Sequence, residues 1–419
     1  MARAIKLGTN PKVEALDVKD FDVSTFIFVL LLTIGGFVAI YSATFAAQMN
    51  DRFSQQLLFG SVGIAILIVM ALVPVRWFSV AAYPVYILSL GLLVLVLVKG
   101  EVVYNQKNWL ALFGGLRFQP SEIAKLGTIM ALGKFLSADR KLTRPFDLIV
   151  ACGIVLLPIA LILLEPDPGS AMIYFGLLFI VLLWAGADLF LLLTVVGGAV
   201  VAVLSLFGKT PMIISVLSVG AMLFFFFRKN LITTVVAFSI LIGASFSADF
   251  IYNHLHQYQR QRIDLLLNPE MDPLGGGYNI IQTKMAIGSG GLVGKGYLQG
   301  TQTQLRFVPK QWTDFIMSVP AEEFGFLGSL AILLLYIFLI YRSLAIAASV
   351  RSNFSSLLAI GITGIWFLHV LVNIGMTIGL FPVVGIPLPF MSYGGSALIT
   401  NMVMAGILMN LYRNRRVMY

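Results

Sequence analysis

The chain has 419 residues, of which 59% are hydrophobic and 11% charged, with a formal net charge of +9. Soluble domains carry roughly 25% charged residues, so a water-soluble fold is excluded. Apolar runs of about 18 or more residues, each long enough for a hydrocarbon core of roughly 30 Å, recur throughout, and the ten-residue alternation of a membrane β-barrel is absent. The fold class is an all-α polytopic membrane protein.

Residues 1–24 carry charges but neither an apolar core nor a small-residue cleavage site, and read as a cytoplasmic tail rather than a signal peptide. Spans are expected at Thr25–Ala47, Leu57–Val73 and Ser79–Val98. A polar segment, KGEVVYNQKNWLALFGGLRFQPSEIAK, then leads to spans at Ser121–Leu136, Phe146–Leu164 and Gly169–Ala187. Its PSE run resembles a helix start with Pro in the first turn. Glu122 and Lys125 suit an ion pair between helices, while Arg117 and Lys125, bracketing the segment, suit a phosphate group. Glu165 and Asp167 sit in EPDPGS, which a tight turn accounts for and a functional site also fits. Spans at Leu189–Phe207, Pro211–Phe227 and Leu231–Tyr252 follow, the first almost without a loop before it.

A polar stretch covers about residues 253–320, rich in Gly, amides and charges but interleaved with aromatic and branched residues, which argues against disorder. Arg260 and Arg262 in YQRQR are either snorkelling anchors or head-group ligands. GSGGLVGKG fails the Walker spacing because Gly296, not Ser or Thr, follows Lys295; Lys295 remains an anion contact. Asp314, in TDFIMSVPAEEFG, is surrounded by Trp312, Phe315 and Ile316, where desolvation lifts a carboxyl toward general-base range; a helix cap is the plainer alternative. Glu322 and Glu323 read as first-turn acids, or with Asp314 as ligands of a hard divalent cation.

The remaining spans are Ala321–Tyr341, Ser355–Leu380 and Gly394–Leu411, followed by a basic tail at 412–419. The Pro- and Gly-rich run FPVVGIPLPFMSYGGS between the last two suggests re-entrant backbone, tolerated at membrane depth only when protein or a water-filled cavity covers it. About twelve spans place both termini on one side, and the Lys/Arg bias makes that side cytoplasmic. Short outer loops are nearly bare of positive charge, with Arg52 and Lys209 as exceptions. Residues 25–411 form one membrane domain whose large loop faces outward. The net charge reflects this bias and anionic lipid and gives no reason to expect nucleic acid. Cys152 is the lone cysteine, so no disulfide framework exists.

Trp109 ahead of RFQPSE, then EPDPGS, YQRQR, DPLGGGY, AIGSGGLVGKG, GTQTQLRFVPKQWTDF, AEEFG, VNIGM and GIPLPFMSYGGSA occur in this order. In these motifs the chain resembles the SEDS family, the polytopic peptidoglycan glycosyltransferases of bacterial shape, elongation, division and sporulation. GKG followed by GTQTQL is similar to the rod-elongation branch. The resemblance implies polymerisation of lipid II into a lipid-linked glycan outside the bacterial cytoplasmic (inner) membrane. It implies Asp314 as the essential acid, Trp109 as a functional aromatic and a divalent cation, Mg²⁺ or Mn²⁺. It also implies a class B penicillin-binding transpeptidase and the elongation machinery as partners.

The candidate pyrophosphate ligands are Arg117, Lys125, Arg260, Arg262 and Lys295. Departures are Asn108 where Arg is common, Lys310 where an acid is common, Glu165 where Gln is common, and about three spans in 189–252 where one is usual, an extra hairpin that preserves topology. A lipid II flippase and a non-catalytic transpeptidase scaffold are the alternatives; ionisable groups near the midplane would favour a carrier, and acids at the outer mouth favour an enzyme.

Overall fold

The computed structural model describes residues 21–46, 48–103, 106–111, 117–138, 145–227, 230–254, 260, 277–309 and 311–416. Each expected span has a helix in place. These are α1 (Val23–Phe45), α2 (Asn50–Leu72), α3 (Val75–Lys99), α4 (Pro120–Leu136), α5 (Pro145–Leu164), α6 (Pro168–Trp184), α7 (Leu189–Ser205), α8 (Lys209–Phe227) and α9 (Leu231–His254). After the polar stretch, whose ordered part contributes α10 (Tyr278–Gly290), α11 (Thr301–Gln304) and α12 (Ser318–Glu323), come α13 (Gly325–Ser349), α14 (Asn353–Thr377) and α15 (Gly395–Arg413).

Among the described residues, eight helices are long and apolar enough to cross a membrane. Pro168–Trp184, Leu189–Ser205 and Ile232–Ser247 are apolar but shorter. α4 has 17 residues and is buried almost throughout.

Burial sorts the helices into a centre and a rim. In α14, 78% of the most apolar window is buried, against 22% in α8. α14 packs on α4, α6 and α13, and α15 packs along α2. On the rim, Ile87, Leu88, Val98 and Ile149 stay exposed and apolar, as a lipid-facing surface requires. α7, α8 and α9 close around their own small core of Phe190, Val201, Leu223, Ala237 and Leu241. The tight boundary before α7 is a turn through Gly186, with Asp188 capping Phe190 N at 2.9 Å.

Two elements differ from the sequence reading. Residues Glu101–Val103, Gln106–Ala111 and Arg117–Phe118 form β1, β2 and β3, a small antiparallel sheet ordered β1-β2-β3 with Glu101 opposite Trp109 and Ala111 opposite Arg117. The span expected from Ala321 starts only at Gly325. Glu322 and Glu323 end the separate α12, and the chain turns at Gly325 with φ +66°, where an added Cβ would lie 2.3 Å from Gly294 N. The residues following α14 up to α15 are non-helical, yet Ile386, Leu388, Phe390 and Met391 are buried. This is re-entrant backbone covered by protein.

Candidate active site

Asp314 lies in a turn segment, half-buried, immediately before the wholly buried run Phe315–Glu323. Three consecutive carbonyls there accept from fixed donors. Tyr393 N donates to Trp312 O at 2.9 Å, Ser392 Oγ to Thr313 O at 2.7 Å and Asn373 Nδ2 to Asp314 O at 2.9 Å. Buried backbone acceptors need such partners, and these come from the re-entrant segment and from the end of α14. Gly385, exposed and at φ +72°, lies beside the carboxylate; an added Cβ would sit 3.7 Å from Asp314 Oδ2. Asp314 is therefore neither a helix cap nor part of α12. It is an acid on a rigid backbone mount at the edge of accessible space.

The first turns of α2 form one wall. Arg52 stacks over the Trp312 ring at 4.4 Å, a contact driven by the ring's quadrupole. Gln55 Oε1 accepts from Tyr393 Oη at 2.9 Å, and Gln56 bridges Ser392 O and Gly394 N at 3.2 Å each. Burial pushes the Tyr393 phenol up, and nearby Arg52 opposes that shift. The guanidinium thus lies over the ring of Trp312, a residue two positions before Asp314 in the chain.

Below this wall is a buried polar chain. Lys125 Nζ donates to Glu122 Oε1 at 2.7 Å and to His369 Nε2 at 3.0 Å. His369 Nδ1 donates to Pro387 O at 3.0 Å; a carbonyl only accepts, which fixes this tautomer. Lys125 and Glu122 are each 3% exposed, so Lys125 is a buried cation engaged by Glu122 and His369. Asp167 caps α6, accepting from Ser170 N at 3.0 Å and Ser170 Oγ at 2.8 Å, and ties in Asn108 at 3.2 Å and Gln119 at 3.4 Å. That is the tight-turn reading of EPDPGS with a tether to β2. Glu165, in the same turn, is fully buried, and neither oxygen has a hydrogen-bond partner among the described residues. Burial, helped by repulsion from Asp167, pushes its carboxyl up to about 8.

The acids expected to join Asp314 are engaged elsewhere. Glu322 accepts from Lys295 Nζ at 2.7 Å, Gln302 N at 2.8 Å, Thr303 N at 2.9 Å and Thr303 Oγ at 2.8 Å. Burial opposes ionisation, but these bonds outweigh it and hold the carboxyl below its ordinary value. Glu323 accepts from Ser42 Oγ at 2.5 Å and Gln304 Nε2 at 3.4 Å, and burial pushes it up. Among the described residues no group of three or more His, Cys, Asp or Glu is placed to hold a metal ion. The expected cage of Asp314, Glu322 and Glu323 is not assembled, because Glu322 fills the anion-binding loop itself. For the same reason Lys295 is paired internally.

Arg117, on β3, pairs with Glu101 at 3.0 Å and is half-exposed. It edges a cavity of about 270 Å³ whose lining includes Phe59, Ile123, Leu126, Ile399 and Val403. Trp109 is half-buried on β2. Arg260 lies over the Tyr252 ring at 5.6 Å. Arg262 and Lys310 lie outside the described residues.

The profile of the FtsW, RodA and SpoVE cell-cycle proteins matches residues 22–215 and 208–417. The chain belongs to this family. It is 36% identical to the peptidoglycan glycosyltransferase MrdB of Escherichia coli K12, over 98% of each chain. It is 32% identical to the peptidoglycan glycosyltransferase RodA of Treponema pallidum, over 94% of this chain and 98% of that one. A chain solved in a study of the structural coordination of polymerization and crosslinking by a peptidoglycan synthase complex superposes with a TM-score of 0.72 at 28% identity, covering 94% and 98%.

Arg52, His369 and Asn373 escaped the sequence reading as site residues. Arg52 had one available signal, a basic residue on an outer loop that the charge bias otherwise leaves bare. His369 and Asn373 are one helical turn apart just before the Pro-rich run, and that i, i+4 spacing was theirs.

Proposed function

We propose that this chain is a peptidoglycan glycosyltransferase of cell elongation, polymerising lipid II into glycan strands at the outer face of the bacterial cytoplasmic membrane. On this reading it works with a class B penicillin-binding transpeptidase. The observation that carries the reading is Asp314 on its three-point mount, with Arg52 over the neighbouring Trp312 ring and the Arg117-edged apolar cavity in the same membrane domain.

In the reaction, a sugar hydroxyl of one lipid-linked saccharide attacks the anomeric carbon of another. The new glycosidic bond forms as the bond to polyprenyl pyrophosphate breaks. Asp314 takes the hydroxyl proton, as a positioned carboxylate can, and the bonding pair leaves with the pyrophosphate. Arg52 and Arg117 supply positive charge where the leaving group gains it, the apolar cavity accepts part of a lipid tail, and Trp109 offers a flat face to a sugar. The described carboxylates do not fit a protein-built cage for a divalent cation, and no step here depends on one.

A carrier of the same lipid is the weaker reading, because Glu122 and Lys125 lie in the first two turns of α4, the end that the topology expected from the Lys/Arg bias puts at the outer mouth. The test is polymerisation of lipid II by the purified chain with its transpeptidase, wild type against Asp314→Ala. Long strands from wild type alone support the assignment. Wild-type turnover by the variant refutes it.

A further inference from the structure

We infer that Asn373 is a positioning residue for Asp314, one that fixes the distance between the catalytic acid and the re-entrant segment forming the opposite side of the site. The inference rests on the reading of Asp314 as the catalytic base.

Asn373 is fully buried in the last turns of α14. Its amide nitrogen donates to two carbonyls from different parts of the chain, Asp314 O at 2.9 Å and Ile386 O at 2.7 Å. An amide nitrogen has two hydrogens, so both are used, and rotating the group would set oxygen against two carbonyl oxygens. One side chain therefore staples the catalytic turn to the residue beside Gly385, the glycine at which an added Cβ would lie 3.7 Å from Asp314 Oδ2.

One turn earlier on α14, His369 holds the next carbonyl, Pro387 O, and is held by Lys125 and Glu122. Asn373 and His369 thus grip adjacent residues of the re-entrant segment. Only Asn373 reaches the acid's own residue. Its grip is on the backbone carbonyl, so it sets where the residue that bears the carboxylate stands. Misplacing a reacting group by about 1 Å costs about 10²-fold in rate.

The matched control is Asn410, also fully buried, whose amide nitrogen likewise donates to two carbonyls, Met70 O at 2.9 Å and Val73 O at 2.5 Å. Those acceptors lie at the other end of α2 from Arg52, a helix of 23 residues or roughly 35 Å at 1.5 Å per residue. Asn373→Leu and Asn410→Leu remove the same pair of donated bonds at comparable burial, Asn410→Leu also losing a bond accepted from Asn414, and Asn373→Ser provides a smaller change should the Leu variant fold poorly.

Each would be purified with the partner transpeptidase and assayed for lipid II polymerisation, with Asp314→Ala alongside and melting temperatures recorded. The expected result is a fall in kcat of about 10²-fold for Asn373→Leu, with KM within about threefold of wild type. Asn373→Ser should lose less, and Asn410→Leu should lose melting temperature without a matching loss of kcat. If kcat falls in both Leu variants only in proportion to melting temperature, or if Asn373→Leu and Asn373→Ser keep wild-type kcat while Asp314→Ala is inactive, the positioning role is overturned. Activity in Asp314→Ala would instead overturn the catalytic reading beneath it.

Discussion

Glu165 gives the sharpest test of the electrostatic reasoning, because it is a fully buried carboxyl with both oxygens lacking a partner among the described residues. Its ordinary value of 4.5 is raised to about 8, first by burial and then by Asp167. Below its ordinary value, folded and unfolded chains both hold the proton and stability is at its full level. As pH rises, the unfolded chain ionises while the folded one keeps its proton, so stability falls until the folded value is reached and is level beyond it.

At about 1.4 kcal/mol per pH unit, the loss is about 3 kcal/mol at pH 7 and about 5 kcal/mol from pH 8 upward. Glu165→Gln keeps the shape and does not titrate. Thermal melts of the detergent-purified protein should give the variant and wild type similar melting temperatures near about pH 5. The variant should then gain on the order of 5 °C by about pH 8.5. A difference that stays constant across that range would show that Glu165 is solvated or ion-paired, and the reasoning from burial would fail.

Two further outcomes follow from the buried charges. Lys125→Met should destabilise the fold by about 3–5 kcal/mol, since it strands Glu122 without its cation. Adding Glu122→Gln should restore most of that loss, which denaturation of the two variants would measure. Glu322→Gln should cost about 2–3 kcal/mol by weakening a charge-assisted cage. Because its folded value is depressed, the stability that Glu322 contributes should be present above the ordinary carboxylate range and disappear as acid titrates the folded carboxyl. A wild-type minus Glu322→Gln difference that grows toward acid would contradict this sign.

The membrane helices were legible because hydropathy over some twenty residues is a long-range sum that local detail cannot disguise. Helix starts were less so. Pro320-Ala-Glu-Glu has the composition of an ordinary first turn, and nothing local says that Glu322 is drawn into a loop twenty residues upstream, which is what moves the start of α13 to Gly325. The sheet at Glu101–Phe118 was hidden because β1 and β3 are only three and two residues long, too short to show period-two alternation. At the site, the family motifs pointed to Asp314, but its support did not read from sequence. Asn373 is a single polar residue in an apolar helix, and its importance lies in which two carbonyls the tertiary fold brings to it.

The acids whose partners are described separate by what their carboxylates do. Asp22 is held by Arg342, Glu101 by Arg117 and Glu122 by Lys125. Asp167 and Asp188 cap helices, Glu322 fills the loop that includes Lys295, and Glu323 is bound by Ser42 and Gln304. Glu165 is sealed from solvent. Apart from Glu165, each of these carboxyls closes or secures a piece of the fold, and recruiting one for proton transfer would open that piece at every turnover. At Asp314 the backbone carbonyl is held by Asn373, and the carboxylate stands beside an exposed glycine. A residue fixed through its main chain keeps that mount when its side chain gains or loses a proton, which suits the role proposed for Asp314.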